Sequence, residues 1–292
     1  MRADAAELFA AHQSRLVRLA YRMLGSVAEA EDVVQDAWLR WQRADQDGVL
    51  NPAAYLSRTV TRLCLDVMKS ARARHEDYIG PWLPEPIVEP EADSVRADEL
   101  TLTLMLALER LSPLERAAFL LHDVFDQPLG EIAQTLERDA AAVRQLAARA
   151  RKHVRSAGPR YPVGREEGGR IARAFFDASA NGDVTALRSL LAETVTIHAE
   201  GGGKVSAFRN LIAGLDRVLR LYDGMARKFA ANPPVYIEPA WIDGLPGYVS
   251  RERDDVLQTT ALGIEDGRIV AIYITRNPEK LSAVAKAYPH SM

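Results

Sequence analysis

The feature that most limits how this chain can fold is a set of four prolines within ten residues, in "PWLPEPIVEPEAD" at 81–93. Proline fixes φ and has no backbone N–H to donate, so the stretch excludes a helix and a central strand. The 292 residues, 48% of them hydrophobic, carry enough apolar material for two or three small cores rather than one, so at least two domains are expected. The back half of the stretch, 85–93, carries Glu85, Glu89, Glu91 and Asp93 and reads as a stiff acidic spacer. Its front carries Trp82 and Leu83, an apolar pair that a solvated spacer has no reason to keep.

Before the prolines, apolar residues recur at helical spacing. Leu16, Leu19, Ala20, Met23 and Leu24 form a stripe that Gly25 stops. Ser26 to Glu29 reads as a capping box that starts the next helix at once. That helix carries Ala30, Val33, Val34, Ala37, Trp38 and Trp41 on one face and Asp32, Gln35, Asp36 and Arg40 on the other. Asn51 and Pro52 signal a third helix, with Leu56, Val60, Leu63 and Val67 inside and Arg58, Arg62, Lys69 and Arg72 outside.

After the prolines, 94–111 is helical in pattern, and Ser112, Pro113 and Glu115 form another helix start. "PLGEIAQTLERDAAAVRQLAARARKHVR" at 128–155 has the length and layout of a helix-turn-helix, with Ile132, Ala133 and Leu136 inside the first helix and Asp139 placed to cap the second. On that second helix Val143, Leu146, Ala147, Ala150 and Val154 share one side. Arg144, Gln145, Arg149, Arg151, Lys152 and Arg155 share the other.

Pro162, Gly164, Gly168 and Gly169 read as a second linker. Beyond it the pattern predicts helices at 171–181 and 184–191, a strand at 195–199, and a helix at 208–221 with Phe208, Leu211, Ile212, Leu215 and Leu219 inward. Strands come next near 235–242, 248–253, 256–264 and 268–275, with Asp266-Gly267 as a hairpin turn. Helices first and an antiparallel sheet afterwards imply an α+β domain.

Composition narrows the function classes. A formal net charge of −3 gives the whole molecule no reason to coat nucleic acid, so any DNA contact must come from local basic faces. The single cysteine, Cys64, excludes an internal disulfide and a cysteine-based zinc site, and the six histidines show no metal-ligand spacing. No apolar run approaches the ~18–20 residues that span a bilayer, so a cytoplasmic protein without a membrane partner is expected.

A basic helix face is often only a solvated surface. Its place on the second helix of a helix-turn-helix favours DNA, because that helix enters the major groove and arginine reads guanine edges. The Arg58 row is open between DNA contact and solvated face, and the Asp32 face by default is the wet side of a core helix. "EGGGKV" at 200–205 lacks phosphate-loop spacing and reads as a tight turn. His198, Trp241, Tyr248 and Tyr273 could line a pocket with His198 as a general base, although a lone strand histidine is more often packed.

"RMLGSVAEAEDVVQDAWLRW" (22–41) and "NPAAYLSRTVTRLCLDVMKSARAR" (51–74) resemble region 2 of the extracytoplasmic-function sigma factors of the sigma-70 family. "LSPLERAAFLLHDVFDQPLGEIAQTLERDAAAVRQLAARARKHVR" (111–155) resembles their region 4. The remainder is similar to a SnoaL-like domain of the NTF2 superfamily, fused in one subgroup of these factors. That subgroup carries WLPEP in its linker, here at 82–86. Its DGGGK and NPDKL stand here as EGGGK (200–204) and NPEKL (277–281), each exchange lengthening an acidic arm. Glu137 also departs, standing at the usual glycine of the helix-turn-helix turn, where a positive φ would cost about 1 kcal/mol.

The resemblance implies a multidomain fold: an all-α region 2 over 1–78, a proline-rich linker over 79–95, an all-α region 4 over 96–158, and an α+β, cone-shaped SnoaL-like domain over 168–288. It implies an RNA polymerase sigma factor, with core polymerase as partner through its β′ clamp helices and β flap. Asp32, Gln35 and Asp36 would bind the clamp helices; Arg58, Arg62, Lys69 and Arg72 would engage the promoter −10 element; Arg144, Gln145, Arg149 and Arg151 would read the −35 element. Control would lie where Trp82, Leu83 and Pro84 meet Glu200, Gly201, Gly202, Gly203 and Lys204 or Asn277, Pro278, Glu279, Lys280 and Leu281. No catalytic residue, metal or cofactor is expected, and a small ligand in the SnoaL-like pocket is an optional partner. Two rival readings remain at this point: a ligand-responsive helix-turn-helix regulator acting without polymerase, and a SnoaL-type enzyme fused to a DNA-binding module.

Overall fold

A computed structural model of the chain describes residues 5–75, 81–89, 102–155 and 163–288. The chain divides into two compact units, one of Met1–Asp77 with Leu104–Gly158, the other of Tyr78–Thr103 with Pro159–Met292. It therefore leaves the first unit, passes through the second, and returns.

The first unit is helical, and its helices begin where capping residues stand. Helix α1 (Ala5–Leu24) stops at Gly25 with φ 72°, and the Ser26 Oγ accepts the Glu29 N–H at 3.3 Å to open α2 (Val27–Arg43). Asn51 Oδ1 accepts the Ala54 N–H at 3.1 Å at the head of α3 (Pro52–His75). Leu16, Leu19, Met23, Ala30, Val34, Trp41, Leu56 and Val60 are buried in this half, whereas Trp38 and Val67 are only partly buried. Helix α4 (Leu102–Glu109) is the described part of the helical pattern at 94–111; residues 94–101 lie outside the described residues.

Ser112 and Glu115 complete a reciprocal capping box on α5 (Pro113–Phe119), which runs into a π-helical turn over Leu120–Val124. Helix α6 (Leu129–Leu136) and helix α7 (Ala140–Arg155) form the helix-turn-helix, with Asp139 Oδ1 accepting the Ala142 N–H at 2.7 Å. Between them Glu137 adopts φ 54°, ψ 48°, the left-handed conformation that glycine takes without strain. Arg116, nearly fully buried, ties the two helical halves of the unit. Its guanidinium donates to the Leu108 and Met23 carbonyls at 2.9 and 2.7 Å and to Glu109 at 2.6 Å, as a buried cation must.

The second unit is α+β, with a sheet in the order β1-β4-β5-β6-β7-β2-β3. The strands are β1 (Val88–Glu89), β2 (Leu191–Glu200), β3 (Ile212–Ala213), β4 (Val235–Ile242), β5 (Leu245–Arg251), β6 (Leu257–Glu265) and β7 (Arg268–Thr275). Helices α8 (Arg165–Asn181), α9 (Val184–Leu190), α10 (Leu215–Lys228) and α11 (Ser282–Ala287) complete it. Phe175, Leu187, Val195, Ile197, Val218, Leu262 and Ile272 are buried in its core.

Five expectations need correction. The sheet is mixed, because β2 pairs parallel with β7. The stretch 85–93 is not a free spacer throughout: Glu85 is buried, and Val88 and Glu89 pair antiparallel with Ile242 and Trp241 of β4. Proline neighbours confine such a strand to a sheet edge, which is where it lies; residues 90–93 lie outside the described residues. Gly168 and Gly169 belong to α8 rather than to a linker, and a Cβ on Gly168 would come within 2.8 Å of Pro246, so the glycine lets the helix close on β5. The helix expected at 208–221 begins only at Leu215, after Gly214 at φ 95°; Leu211 is exposed and Ile212 pairs with Ile197 in the sheet. Strand β5 starts at Leu245, three residues before the expected Tyr248, because Asp243 and Gly244, at φ 47° and 72°, make a hairpin turn like that of Asp266 and Gly267 at φ 49° and 72°.

Candidate functional site

In the first unit Asp32, Gln35, Asp36 and Arg40 stand exposed on α2 beside Leu39, itself one of the few exposed large apolar residues. The core-facing stripe of α2 fixes this face outward.

Arg58 and Arg62, on the outer side of α3, meet the end of α6. Arg62 Nε and Nη2 donate to the Thr135 and Gln134 carbonyls at 3.3 Å each, and Nη2 lies 2.9 Å from Glu137 Oε1. Arg58 Nη2 donates to Gln134 Oε1 at 3.2 Å. The last carbonyls of a helix lack helical partners and carry its negative dipole end, so a guanidinium is well suited there. Lys69 pairs with Asp66 at 3.1 Å, and the Arg72 side chain lies outside the described residues.

On α7, Arg144 and Gln145 are exposed, and among the described residues neither has a partner. Arg149 Nε donates to Glu115 Oε1 at 2.8 Å, and Arg151 Nε donates to Asp123 Oδ1 at 2.5 Å. Burial would raise the Glu115 carboxyl, but hydrogen bonds from Ser112 and Arg149 outweigh it and hold its pKa below the ordinary carboxylate value. Sequence reasoning misses these two acids as partners of α7, because the pairing is not local in sequence.

The second unit gathers the linker and both C-terminal motifs at one node. Leu83 is buried and its N–H donates to Glu200 Oε2 at 3.0 Å; its carbonyl accepts from Lys280 Nζ. Lys280 Nζ sits 2.9 Å from Glu200 Oε1 and 4.3 Å above the Trp82 ring. Asn277 Nδ2 donates to Glu200 Oε1 at 3.3 Å, so both oxygens of a buried carboxylate are satisfied. The longer glutamate arm at 200 thus reaches the linker backbone, the asparagine and the lysine together. Pro84 is buried as well.

Gly201, Gly202 and Gly203 turn the chain beside this node. Gly202, at φ 61°, leaves no room for a side chain, since a Cβ would fall 2.4 Å from Asn277 Nδ2. Lys204 pairs with Glu279, and Leu281 is buried while Pro278 is exposed. Further along the linker, Asp243 Oδ1 accepts the Ile87 N–H at 3.2 Å and the Asp243 N–H donates to the Ile87 carbonyl at 2.9 Å.

The four residues suggested as one pocket are separated. Tyr248 pairs with Thr260 and Thr260 with Ile274, so the period of two places Tyr248 on the face opposite Tyr273. His198 stacks on Tyr273 at 5.1 Å, whereas Tyr248 packs on Phe176 at 5.3 Å and Trp241 lies under Arg165 at 5.0 Å. Among the described residues no helix is long and apolar enough to cross a membrane, and no acid, histidine or cysteine cluster could hold a metal.

Two helical halves with a helix-turn-helix, joined by a linker seated on an α+β domain, define a class that comparison with known proteins makes specific. Residues 8–74 match Sigma-70 region 2 and residues 101–154 match Sigma-70, region 4. The chain is 38% identical to the ECF RNA polymerase sigma factor SigJ of Mycobacterium tuberculosis, over 94% of this chain and 92% of that one. It is 35% identical to the probable ECF RNA polymerase sigma factor SigI of the same organism, over 93% and 92%. The crystal structure of M. tuberculosis SigJ superposes with a TM-score of 0.73 at 32% identity, covering 96% of this chain and 98% of that one. The chain belongs to the family of extracytoplasmic-function RNA polymerase sigma factors, and an α+β domain follows its region 4.

Proposed function

We propose that this protein directs promoter-specific initiation by RNA polymerase and that its own C-terminal domain sets how readily it does so. The α2 face of Asp32, Gln35 and Asp36 binds the β′ clamp helices, and region 4 contacts the β flap. Arg58, Arg62, Lys69 and Arg72 engage the −10 element; α7, with Arg144, Gln145, Arg149 and Arg151, engages the −35 element. Core polymerase supplies the affinity that a net charge of −3 withholds, by holding two weak DNA modules in register.

The observation that carries the regulatory half of the reading is the seating of the linker. Between Asp77 and Leu104 the chain belongs to the second unit, with Leu83 clamped by Glu200 and Lys280 and Val88 paired to β4. Freed, the part of that stretch that precedes α4, 78–101, can extend to at most about 85 Å. A promoter's two elements lie about 25 bp apart, or ~85 Å along B-DNA, so release of the clamp gives regions 2 and 4 the reach that a seated linker restricts. The contacts of Arg58 and Arg62 with α6 occupy side chains that DNA would need, and opening must break them too. A small ligand would act on this equilibrium only by binding the seated and released forms unequally. The domain is regulatory rather than catalytic, with His198 packed on Tyr273.

Run-off transcription with core polymerase tests both halves. The full chain should give promoter-dependent transcripts, and Lys280→Met should change their yield without changing the start site. Absence of promoter-dependent initiation overturns the sigma assignment; an unchanged yield from Lys280→Met, with the linker shown by amide exchange to be loosened, overturns the regulatory one.

A further inference from the structure

Helix α7 has a basic sector that can be resolved residue by residue. At about 100° per residue, counting from Arg144, Gln145 falls at ~100°, Arg149 at ~140°, Arg151 at roughly −20° and Lys152 at ~80°. Arg149 and Arg151 therefore bound the sector, with Gln145 and Lys152 between them; Arg144 lies close to the Arg151 edge in angle but about 10 Å nearer the N-terminal end of the helix, the end that meets base edges. A helix with its side chains is about 10–12 Å across and the major groove about 12 Å wide. The floor of the groove is met by the middle of the exposed sector, and its two edges meet the phosphates of opposite strands.

The two edge residues are the two that the rest of the unit holds. Glu115 presents Oε1 to Arg149 Nε at 2.8 Å, while its other oxygen is fixed by the Ser112 N–H and Oγ at 3.1 and 2.7 Å. Asp123 presents Oδ1 to Arg151 Nε at 2.5 Å from the π-helical turn, whose widened geometry is backed by the Phe125 N–H donating to the Leu120 carbonyl at 3.0 Å. In both pairs the carboxylate holds Nε, and among the described residues neither Nη end has a hydrogen-bond partner; the Arg149 and Arg151 side chains are 57% and 35% exposed. Arg144 and Gln145 have no such support among the described residues.

We infer that Glu115 and Asp123 are positioning residues, which aim the Nη ends of Arg149 and Arg151 at the phosphates on either side of the groove and leave sequence readout to Arg144 and Gln145. The inference rests on the assignment of α7 to the −35 element and divides it: the two acid-held arginines at the sector edges set affinity and register, and Arg144 and Gln145 at the N-terminal end set preference. A long arginine that is already ordered loses less freedom on binding than a free one, which is the physical gain from the carboxylates. The opposing term is charge, since each acid also repels the phosphate backbone. The two terms predict opposite signs for neutralising the acid.

The test is promoter binding by the holoenzyme of full-length chain and core polymerase, over a salt series and a panel of single-base −35 variants. Asp123→Asn is isosteric, and Glu115→Gln keeps a residue able to complete the capping box. Each should weaken binding about two- to tenfold, equally for every −35 sequence, and Glu115→Asp should restore part of the loss. Adding Glu115→Gln to Arg149→Ala should cost nothing more, and Arg149→Ala should lower the salt slope by about 1. Arg144→Ala should flatten the base preference instead. Binding as tight as or tighter than the parent in both Glu115→Gln and Asp123→Asn overturns the inference, as does an altered base preference in either. A parent holoenzyme whose binding ignores the −35 sequence overturns the assignment of α7 itself, and Arg144→Ala would then change nothing.

Discussion

Of the chain's ion pairs, one in each unit can be compared directly, because their lengths are the same. Lys280 meets Glu200 at 2.9 Å in the second unit, and Arg62 meets Glu137 at 2.9 Å in the first. The side chains of the former pair are 14% and 0% exposed, those of the latter 44% and 74%. Distance therefore says nothing about which matters more; burial does. An exposed pair is screened and contributes about 0.2–1 kcal/mol, whereas removing one partner of a buried pair strands an uncompensated charge at a cost of about 3–5 kcal/mol. The linker clamp is built to hold, and the exposed Arg62 contact is weak enough to yield to a competing partner.

The largest expected effect comes from stranding Glu200. Lys280→Met should destabilise the seated linker by about 3–5 kcal/mol, read as a hundredfold or greater acceleration of amide exchange at Leu83, roughly 1.4 kcal/mol per decade. Adding Glu200→Gln should recover most of that loss, because a pair removed as a whole leaves no unpaired charge. Arg62→Met should cost no more than ~1 kcal/mol. Equal costs for Lys280→Met and Arg62→Met would break the comparison. Next in size, Leu83→Ala removes a fully buried side chain and should loosen the linker by about 2–5 kcal/mol, while Trp82→Ala, at a half-buried position, should cost less.

A third carboxylate sharpens the point. Glu252 is largely buried, its side chain 13% exposed, and accepts from Ser250 Oγ at 3.0 Å, but its paired cation, Arg253, lies at 3.8 Å. Burial raises its pKa above the model-compound value of 4.5, despite the lowering influence of Ser250, Arg253 and Arg276. A carboxyl whose pKa is higher folded than unfolded binds more protons in the native state, so its contribution falls as pH rises through that interval and stays unfavourable above it. Glu252→Gln should therefore raise the melting temperature at neutral pH, and the gain should vanish below the unfolded value near 4.5. A gain independent of pH would show that packing, not charge, separates the two residues.

What was legible in the sequence tracks how local each determinant is. Ser26, Asn51, Ser112 and Asp139 cap helices through the N–H three residues on, and Asp266-Gly267 closes a hairpin by its own backbone, so all can be read directly. The misfit of Trp82 and Leu83 with a solvated spacer was visible too. Their partners, Glu200 and Lys280, were reached only through resemblance, because 117 and 197 residues separate them from Leu83. The parallel pairing of β2 with β7 and the edge strand at Val88 have no local signature. The helix wrongly expected at 208–221 had the right apolar spacing, and the backbone at Gly214 overrode it.

The smallest expected effect lies at Glu137, where strain and attraction nearly cancel. Its φ of 54° costs about 1 kcal/mol relative to glycine, and its pair with Arg62 returns about 0.2–1 kcal/mol. Glu137→Gly removes both and should leave the protein as stable as before or up to ~1 kcal/mol more stable. Glu137→Gln keeps the strain and loses the charge, so it should be the least stable of the three. Salt separates the terms: the gap between parent and Glu137→Gln should close as ionic strength rises, because both side chains are exposed. The gap between Glu137→Gly and Glu137→Gln should persist, since backbone strain is not screened. If the parent proves more stable than Glu137→Gly at high salt, the Arg62 contact carries more than an exposed pair can supply, and the contrast with the buried clamp narrows.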